Sequence, residues 1–366
     1  MQIINQIKNL KNKTVLLRGD LDVSIKNGKV ADDFRLKRLL PTIQYLNKKG
    51  AKIIIMGHLG RPNGEVVESL SLKPVREELR KLLDIKKEIR NWKLEIGGFS
   101  GFSITENIIL LENLRFYEGE ENNDLKFAKA LSEMGNIYVN DAFANSHRKH
   151  ASVAGITKFL PSYAGLNLAK EVEVLSKCFK NPKRPAVAIM GGAKIETKLP
   201  LIKKMSEKFD YVLVGGRLGI EMKKGQKSKV KSQKLWKKNI ILPVDYVGSE
   251  KYDIGERTIK VFTGILRNAK TVIWNGPMGK YEDKRYIKGT KEVAKAIINS
   301  KAYAVAGGGD IISALDKLKM IDEFDFISTG GGAMLEFLER GDLVGLKELR
   351  KYISPQINKS HHEYTN

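Results

Sequence analysis

Arginine and histidine recur in the first half of the chain, each time just after a short apolar run. Four such runs end at Leu17, Met56, Leu111 and Asn140. The cations that follow these runs, or that begin the first long helical pattern, are Arg18, Arg35, His58, Arg61, Arg115, His147, Arg148 and His150. Any one arginine is more often a surface ion-pair partner, but guanidinium groups at several strand ends together suit phosphate and carboxylate groups. The set predicts a binding site for a small ligand with several negative charges.

Two carboxylates accompany these cations. Asp20 and Asp22 are two residues apart, so on an extended segment their side chains share a face.

Glycine dominates the corresponding positions in the second half. Five apolar runs are followed by glycine-containing segments, which are Gly191-Gly192-Ala193-Lys194, Gly215-Gly216, Asn275-Gly276-Pro277-Met278-Gly279, Gly307-Gly308-Gly309-Asp310 and Thr329-Gly330-Gly331-Gly332. Glycine allows close backbone approach, and helix N-termini attract phosphate. The pattern predicts a ligand that carries phosphate. It contains neither the lysine-containing loop of Walker-type proteins nor the G-x-G-x-x-G of dinucleotide-binding folds.

Charged residues beside these glycines suggest phosphoryl chemistry. If a helix begins near Gly192, Lys194 and Lys198 lie on one face of its first turns. Asp310 is a candidate Mg²⁺ ligand, with a helix N-cap as the alternative. Cations on one side and glycine amides, lysines and an acid on the other suit phosphoryl transfer, which needs positioning and charge neutralisation.

The elements that must position these residues alternate between strand and helix. The predicted strands are Thr14–Leu17, Lys52–Met56, Ile108–Leu111, Ile137–Asn140, Ala186–Met190, Tyr211–Val214, Thr271–Trp274, Tyr303–Ala306 and Phe326–Ser328. Helical patterns between them include Arg35–Asn47, Pro74–Leu83, Leu199–Phe209, Lys288–Asn299 and Ala333–Glu339. Ligands bind at the carboxyl ends of such strands. The expected fold is α/β, with two Rossmann-like parallel-sheet lobes joined by a hinge helix near Ala169–Phe179.

Composition agrees with a soluble two-domain protein. The chain has 366 residues, of which 42% are hydrophobic and 29% charged. Its net charge of +23 fits a polyanionic ligand, a nucleic acid or simply a lysine-rich surface. The single cysteine, Cys178, is expected to pack in a helix, which fits a reducing compartment. We expect neither a signal peptide nor a membrane span.

Longer segments resemble phosphoglycerate kinases along nearly the whole chain. They are RGDLDV, GHLGRP, LLENLRF, VNDAF with SHRKHAS, GGAKIETK, WNGPMGKYE, GGGD and STGGGAMLEFLE, in the order that this family has them.

The resemblance implies a 3-phosphoglycerate-binding domain over 1–165, to which the tail 352–366 returns, and a nucleotide-binding domain over 166–351. The implied substrate-binding residues are Asp20, Leu21, Asp22, Arg35, His58, Leu59, Gly60, Arg61, Arg115 and Arg148. The implied nucleotide-binding residues are Gly192, Ala193, Lys194, Lys198, Gly215, Gly216, Asn275, Pro277, Glu282, Gly308, Gly309, Asp310 and Ile311.

The resemblance also implies a mechanism. Arg35, Lys194 and Lys198 would be catalytic, with Asp310 holding Mg²⁺ and amides of Gly330–Gly332 neutralising charge. Hinge closure would exclude water from a direct in-line transfer between 1,3-bisphosphoglycerate and ADP. A cytoplasmic monomer with small-molecule partners is expected.

The chain departs from the family pattern at several positions. Asp22 replaces the usual asparagine and Ile311 the usual threonine or serine. Arg217-Leu218-Gly219 is atypical, and the short, lysine-rich stretch from Lys223 to Gly255 should help form the adenine pocket. We expect lowered but real activity.

Three alternatives compete with this interpretation. One is a divergent paralogue that binds these ligands with little turnover. Another is a nucleic-acid-binding protein that uses Lys223–Lys238, although a solvated loop is the more common outcome for such a segment. A dehydrogenase lacks its sequence fingerprint.

Overall fold

The computed structural model describes residues 1–351, apart from 88, 90–91, 193–197 and 228–236. The chain divides into two compact units. In the described residues, the first is Met1–Glu171 together with 342–351, and the second is Val172–Gly341. Residues 342–351, which the sequence analysis places in the second domain, therefore lie with the first unit. The tail 352–366, which the sequence analysis expects to return to the first domain, lies outside the described residues. The division after Glu171 falls inside a helix.

The first unit is built on a seven-stranded sheet. The strands of that sheet are β1 (Thr14–Arg18), β4 (Lys52–Met56), β5 (Lys93–Ile96), β6 (Phe99–Ser103), β7 (Ile108–Leu111), β8 (Ile137–Asn140) and β9 (Ser162–Ala164), and the unit also contains β2 (Ile25–Lys26) and β3 (Lys29–Val30). Its helices are α1 (Phe34–Lys48), α2 (Lys73–Leu82), α3 (Glu118–Glu121), α4 (Leu125–Glu133) and the start of α5 (Leu166–Lys180).

The strand order is β5-β6-β7-β4-β1-β8-β9, with β2 and β3 forming a separate hairpin. The central strands are parallel and almost wholly buried, as their uninterrupted apolar runs predict. In the sheet, β4 and then β7 lie on one side of β1, whereas β8 lies on its other side. The carboxyl ends of β1 and β8 therefore flank the crevice where ligands bind in such sheets.

The sequence predicts parallel strands only, so the hairpin of β5 and β6 is not among the predicted elements. It adds two antiparallel strands to the edge of the sheet. Gly97 and Gly98 form its turn with φ angles of 58° and 81°, the left-handed conformation that a two-residue hairpin turn requires. The Gly-Gly pair between two alternating runs is a sequence signal for this hairpin.

The second unit has a six-stranded parallel sheet. Its strands are β10 (Ala186–Met190), β11 (Tyr211–Val214), β12 (Ile240–Ile241), β15 (Thr271–Asn275), β16 (Tyr303–Gly307) and β17 (Phe326–Ser328), and a separate hairpin pairs β13 (Tyr246–Val247) with β14 (Asp253–Ile254). Its helices are α6 (Leu199–Lys208), α7 (Gly216–Lys227), α8 (Glu256–Leu266), α9 (Lys288–Ser300), α10 (Gly309–Lys317) and α11 (Gly331–Arg340).

The order β12-β11-β10-β15-β16-β17 changes direction between β10 and β15. This is the doubly wound order of Rossmann-type sheets, and it confirms the predicted fold class. The ligand-binding crevice of such a sheet lies beyond the carboxyl ends of these two strands.

The last described helix, α12 (Val344–Lys351), packs in the first unit, where the Gly345 amide donates to the Ser146 carbonyl oxygen at 2.8 Å. Cys178 is buried in α5, as predicted. None of the helices within the described ranges is long and apolar enough to cross a membrane.

Candidate active site

Arg35 joins both carboxylates of the first unit. It lies in the first turn of α1, where its Nη1 donates to Asp20 Oδ1 at 3.1 Å and to the Asp22 carbonyl oxygen at 2.9 Å. The same nitrogen is 4.0 Å from Asp22 Oδ2. Burial raises the pKa of Asp20, against the opposing effect of Arg35. The Asp22 side chain is 43% exposed, so only one of the two acids is buried.

His58 lies between Arg18 and Asp22. Its Nδ1 is 2.9 Å from Arg18 Nη2, and its Nε2 is 3.9 Å from Asp22 Oδ2. Burial, followed by the charges of Arg18 and Arg115, lowers the pKa of His58 well below its usual value. His58 is therefore a neutral imidazole at physiological pH.

The segment after β4 is held in place mainly through its backbone. The Gly60 amide donates to Asp22 Oδ1 at 3.0 Å, and the Gly60 carbonyl oxygen accepts from Arg115 Nη1 at 2.7 Å. Leu21 and Leu59 are buried, so among the predicted site residues these two contribute to the core and fix the neighbouring backbone.

Three further predicted arginines differ in their surroundings. Arg115 is buried, with Nη2 3.1 Å from Glu121 Oε1. Arg61 is exposed and Arg148 is half-buried. Neither of these last two side chains has an ion pair within the described part of the chain, so both remain available to an anionic ligand.

Arg18 and His150 complete this cluster. Both are buried cations that follow predicted strands, although neither is among the substrate-binding residues that the family resemblance implies. Burial and Arg115 lower the pKa of His150 to about 3. The position of Arg18 directly after Leu17, at the end of an apolar strand, is the sequence signal that places it among these cations.

In the second unit the glycine turns after β10 and β15 pack backbone against backbone. The Gly191 amide donates to the Asn275 carbonyl oxygen at 2.8 Å, and the Gly192 amide to that of Pro277 at 3.1 Å. A β-carbon on Gly191 would lie 2.1 Å from the Pro277 oxygen. Only glycine fits there, which explains the residue type at this turn.

The side chain of Lys198 lies beside the same glycine turn. Its Nζ donates to the Gly191 carbonyl oxygen at 2.6 Å, and the residue is buried. Helix α6 begins at Leu199 with Lys198 as its N-cap, so Lys198 precedes the helix. The predicted helix Leu199–Phe209 is thereby confirmed to within one residue, whereas the conditional helix start near Gly192 adjoins residues 193–197, which lie outside the described residues. Ala193 and Lys194 lie outside the described residues.

A pocket of about 530 Å³ opens beside these turns. The predicted residues that line it are Gly192, Gly216, Pro277, Glu282 and Asp310. Sequence reasoning did not assign the remaining lining residues, which are Arg217, Ile220, Glu221, Lys224, Ser249, Glu250, Lys251, Tyr252, Gly279, Lys280 and Tyr281. Lys224, Ser249, Glu250, Lys251 and Tyr252 come from the stretch Lys223–Gly255 that the sequence analysis connects with the adenine pocket.

The remaining predicted residues that the structure describes do not line the pocket but make contacts in the strands and helices around it. Asn275 Nδ2 donates to the Gly307 carbonyl oxygen at 2.6 Å, and the Gly215 amide donates to the Met190 carbonyl oxygen at 2.9 Å. Gly308 is the N-cap of α10, Gly309 begins that helix, and Asp310 lies exposed in its first turn. Asp310 is therefore not the N-cap, which removes the alternative reading of this residue. Ile311 is fully buried and does not line the pocket.

Three helices begin at these turns. They are α7 after β11, α10 after β16 and α11 after β17. Their first amide groups carry the positive end of the helix dipole, which favours phosphate.

Comparison with known proteins agrees with this arrangement. The model of the phosphoglycerate kinase family matches residues 4–250 and 237–341. The structure of phosphoglycerate kinase from Coxiella burnetii is similar, with a TM-score of 0.81 and 35% identity over 95% of this chain and 98% of that one. The crystal structure of the Pyrococcus horikoshii OT3 phosphoglycerate kinase has a TM-score of 0.78 and 32% identity over 96% and 98%.

These matches define a kinase, a phosphotransferase with a carboxyl group as acceptor. The chain belongs to the phosphoglycerate kinase family. Enzymes of this family act in glycolysis and use ADP and ATP as substrates.

Proposed function

We propose that the first unit binds 3-phosphoglycerate or its bisphosphate and that the second binds ADP or ATP. The reaction is the reversible transfer of one phosphoryl group between 1,3-bisphosphoglycerate with ADP and 3-phosphoglycerate with ATP. One observation carries the substrate assignment. Asp20 Oδ2 is buried without a hydrogen-bond partner in the described part of the chain, beside a cluster of cations.

An orphaned buried acceptor calls for a donor from the ligand. A hydroxyl group of the glycerate would supply that donor to Asp20. Arg61, Arg115 and Arg148 would take the negative charges of the same ligand, since two of them have no ion pair of their own in the described ranges.

The nucleotide phosphates would lie against the helix N-termini at Gly216 and Gly309. The base would enter the remaining part of the pocket, between Ile220 and Tyr252. The polar residues in that part of the pocket support nucleotide binding in which the base contacts differ from the family pattern.

The residues present fit one Mg²⁺ ion shared with the nucleotide. Asp310 is an exposed carboxylate in the pocket, where Glu282 also lies. The described residues contain no group of three or more metal-binding side chains, and Mg²⁺ in kinases is held by one or two carboxylates with substrate phosphates. Asp310 would hold the ion, which supplies charge neutralisation for the phosphates.

Arg35 and Lys198 would contact the phosphoryl group during transfer. Lys198 now bonds a carbonyl oxygen, a contact that it can exchange for a phosphate oxygen. Arg35 would use donors not engaged by Asp20. Lys194 keeps its proposed catalytic role, although it lies outside the described residues.

The proposal includes a cytoplasmic monomer with small molecules as its partners. A nucleic-acid partner is disfavoured because a basic segment such as Lys223–Lys238 more often forms solvated surface than a nucleic-acid site. Its residues up to Lys227 belong to α7. Most of that segment lies outside the described residues.

A coupled assay tests this function. ATP, Mg²⁺ and 3-phosphoglycerate are supplied, and NADH loss is followed through glyceraldehyde-phosphate dehydrogenase. We expect a rate that needs all three components and falls sharply in Arg35→Ala, but not in Lys37→Ala on the same helix. Equal rates in the wild type and Arg35→Ala would overturn the proposal.

A further inference from the structure

A buried chain of hydrogen bonds leads to His58 from a carboxylate outside the predicted site. Glu120 Oε2 accepts from the Ser152 amide at 2.9 Å, and Glu120 Oε1 accepts from Ser152 Oγ at 2.5 Å. Ser152 Oγ accepts in turn from Arg18 Nε at 2.8 Å. Arg18 Nη2 completes the chain at His58 Nδ1, 2.9 Å away. Each of these four side chains is at most 2% exposed.

The direction of the last hydrogen bond follows from chemistry. A guanidinium group has only donors, so His58 Nδ1 must be the acceptor. The proton of the neutral ring is then on Nε2, the nitrogen that faces Asp22. An imidazolium would place a second donor against Arg18, which agrees with the lowered pKa of His58.

Local structure holds Ser152 in this role. It lies in a π-helical turn, Ala151–Gly155, a geometry that often accompanies functional sites. Its carbonyl oxygen accepts from the Tyr138 hydroxyl group at 2.7 Å. Backbone amide, carbonyl and hydroxyl of one residue are therefore all fixed.

We propose that Glu120 is a positioning residue for substrate binding. Through Ser152 it holds Arg18 in the orientation that keeps the proton of His58 on Nε2, directed toward the ligand. The inference rests on the proposed function, because it takes the ligand to be an anion that accepts from this N–H.

These groups are buried, so each of them needs its hydrogen-bond partners. Loss of a partner would leave the buried guanidinium of Arg18 uncompensated, which strongly destabilises its present position. Removal of the Ser152 hydroxyl group or the Glu120 charge would therefore allow Arg18 to reorient. His58 would then be free to adopt the other tautomer.

The charged and titratable groups around His58 are Arg18, Arg115, Arg148, His150 and Asp22. Glu120→Gln also removes the charge of a carboxylate whose Oε1 lies 3.8 Å from His150 Nδ1, whereas Ser152→Ala removes no charge near these groups. Changes at His58 that both variants share would therefore come from the hydrogen-bond chain.

Nitrogen-15 NMR of the histidine rings tests the proposal directly. With five histidines in the chain, His58→Gln assigns the signal. In the wild type we expect an unprotonated Nδ1 and a protonated Nε2. Glu120→Gln and Ser152→Ala should show a tautomer mixture, whereas Glu118→Gln, an exposed residue of the same short helix, should not.

Kinetics supply the second measurement. Loss of a hydrogen bond to a charged group predicts a rise of about tenfold in KM for 3-phosphoglycerate with KM for ATP unchanged. A protonated Nδ1 in the wild type, or a folded variant with an unchanged tautomer and KM, would overturn the proposal. If Glu120→Gln does not fold, Ser152→Ala carries the test. An inactive wild type would refute the proposed function alone, since the NMR measurement needs no turnover.

Discussion

Lys198 Nζ lies 2.6 Å from the carbonyl oxygen of Gly191, to which it donates a hydrogen bond. The same nitrogen is 3.1 Å from the position that a β-carbon on Gly276 would take. The ammonium group therefore lies where two glycine turns meet, at the crevice of the second sheet.

This position predicts a large loss of turnover in Lys198→Met. Removal of one positioned donor to transition-state charge lowers kcat by about 10²–10³-fold. Steady-state kinetics with both substrates saturating would measure it. Lys203→Met, on the exposed face of α6, is the matched control and should keep kcat unchanged. Similar kcat values for both variants would exclude a catalytic role for Lys198.

Asp22→Asn should improve substrate binding. The Asp22 carboxylate adds a negative charge beside Arg35 and His58, whereas an asparagine oxygen can keep the hydrogen bond from Gly60. We expect KM for 3-phosphoglycerate to fall about tenfold, the effect of roughly 1.4 kcal/mol. The exposed Asp84→Asn is the control. An unchanged or higher KM would show that the charge of Asp22 does not weaken substrate binding.

Ile311→Thr should destabilise the protein without raising activity. Ile311 is fully buried, so the change removes apolar contact and buries a hydroxyl group. We expect a loss of about 1–3 kcal/mol in the free energy of unfolding, measured with urea. Ile312→Thr, half-buried on the same helix, should lose less. A higher kcat with unchanged stability would instead support a missing hydroxyl group at the nucleotide site.

The pH dependence of stability should change in Asp141→Asn. Burial raises the pKa of Asp141 from 3.8 to about 6, so the native state binds this proton more tightly than the unfolded state. Stability from this group is present below pH 3.8 and is lost as pH rises to about 6. The variant should therefore gain about 3 kcal/mol relative to the wild type between pH 4 and pH 7. A difference that is flat with pH, as expected for Asp84→Asn, would contradict the shift.

The sheet cores and the strand ends could be predicted from sequence. Runs such as Lys52–Met56 are apolar throughout because both faces of a central parallel strand are buried. Their carboxyl ends meet at one edge, so the residues after them had to lie close together. The contacts among Arg35, Asp20 and Asp22 follow from that rule.

Long-range polar contacts could not be predicted in this way. Glu120 and Ser152 are separated by 32 positions, and nothing in either segment's pattern specifies the partner. The β5–β6 hairpin was missed although its Gly-Gly signal was present.

Phosphoryl transfer from 1,3-bisphosphoglycerate to ADP can be measured most directly as ATP formed from these two compounds with Mg²⁺ present. We expect ATP in proportion to enzyme, with none when either substrate is omitted and a rate lower by about 100-fold or more for Lys198→Met. Folded wild-type protein that makes no more ATP than Lys198→Met would contradict this expectation.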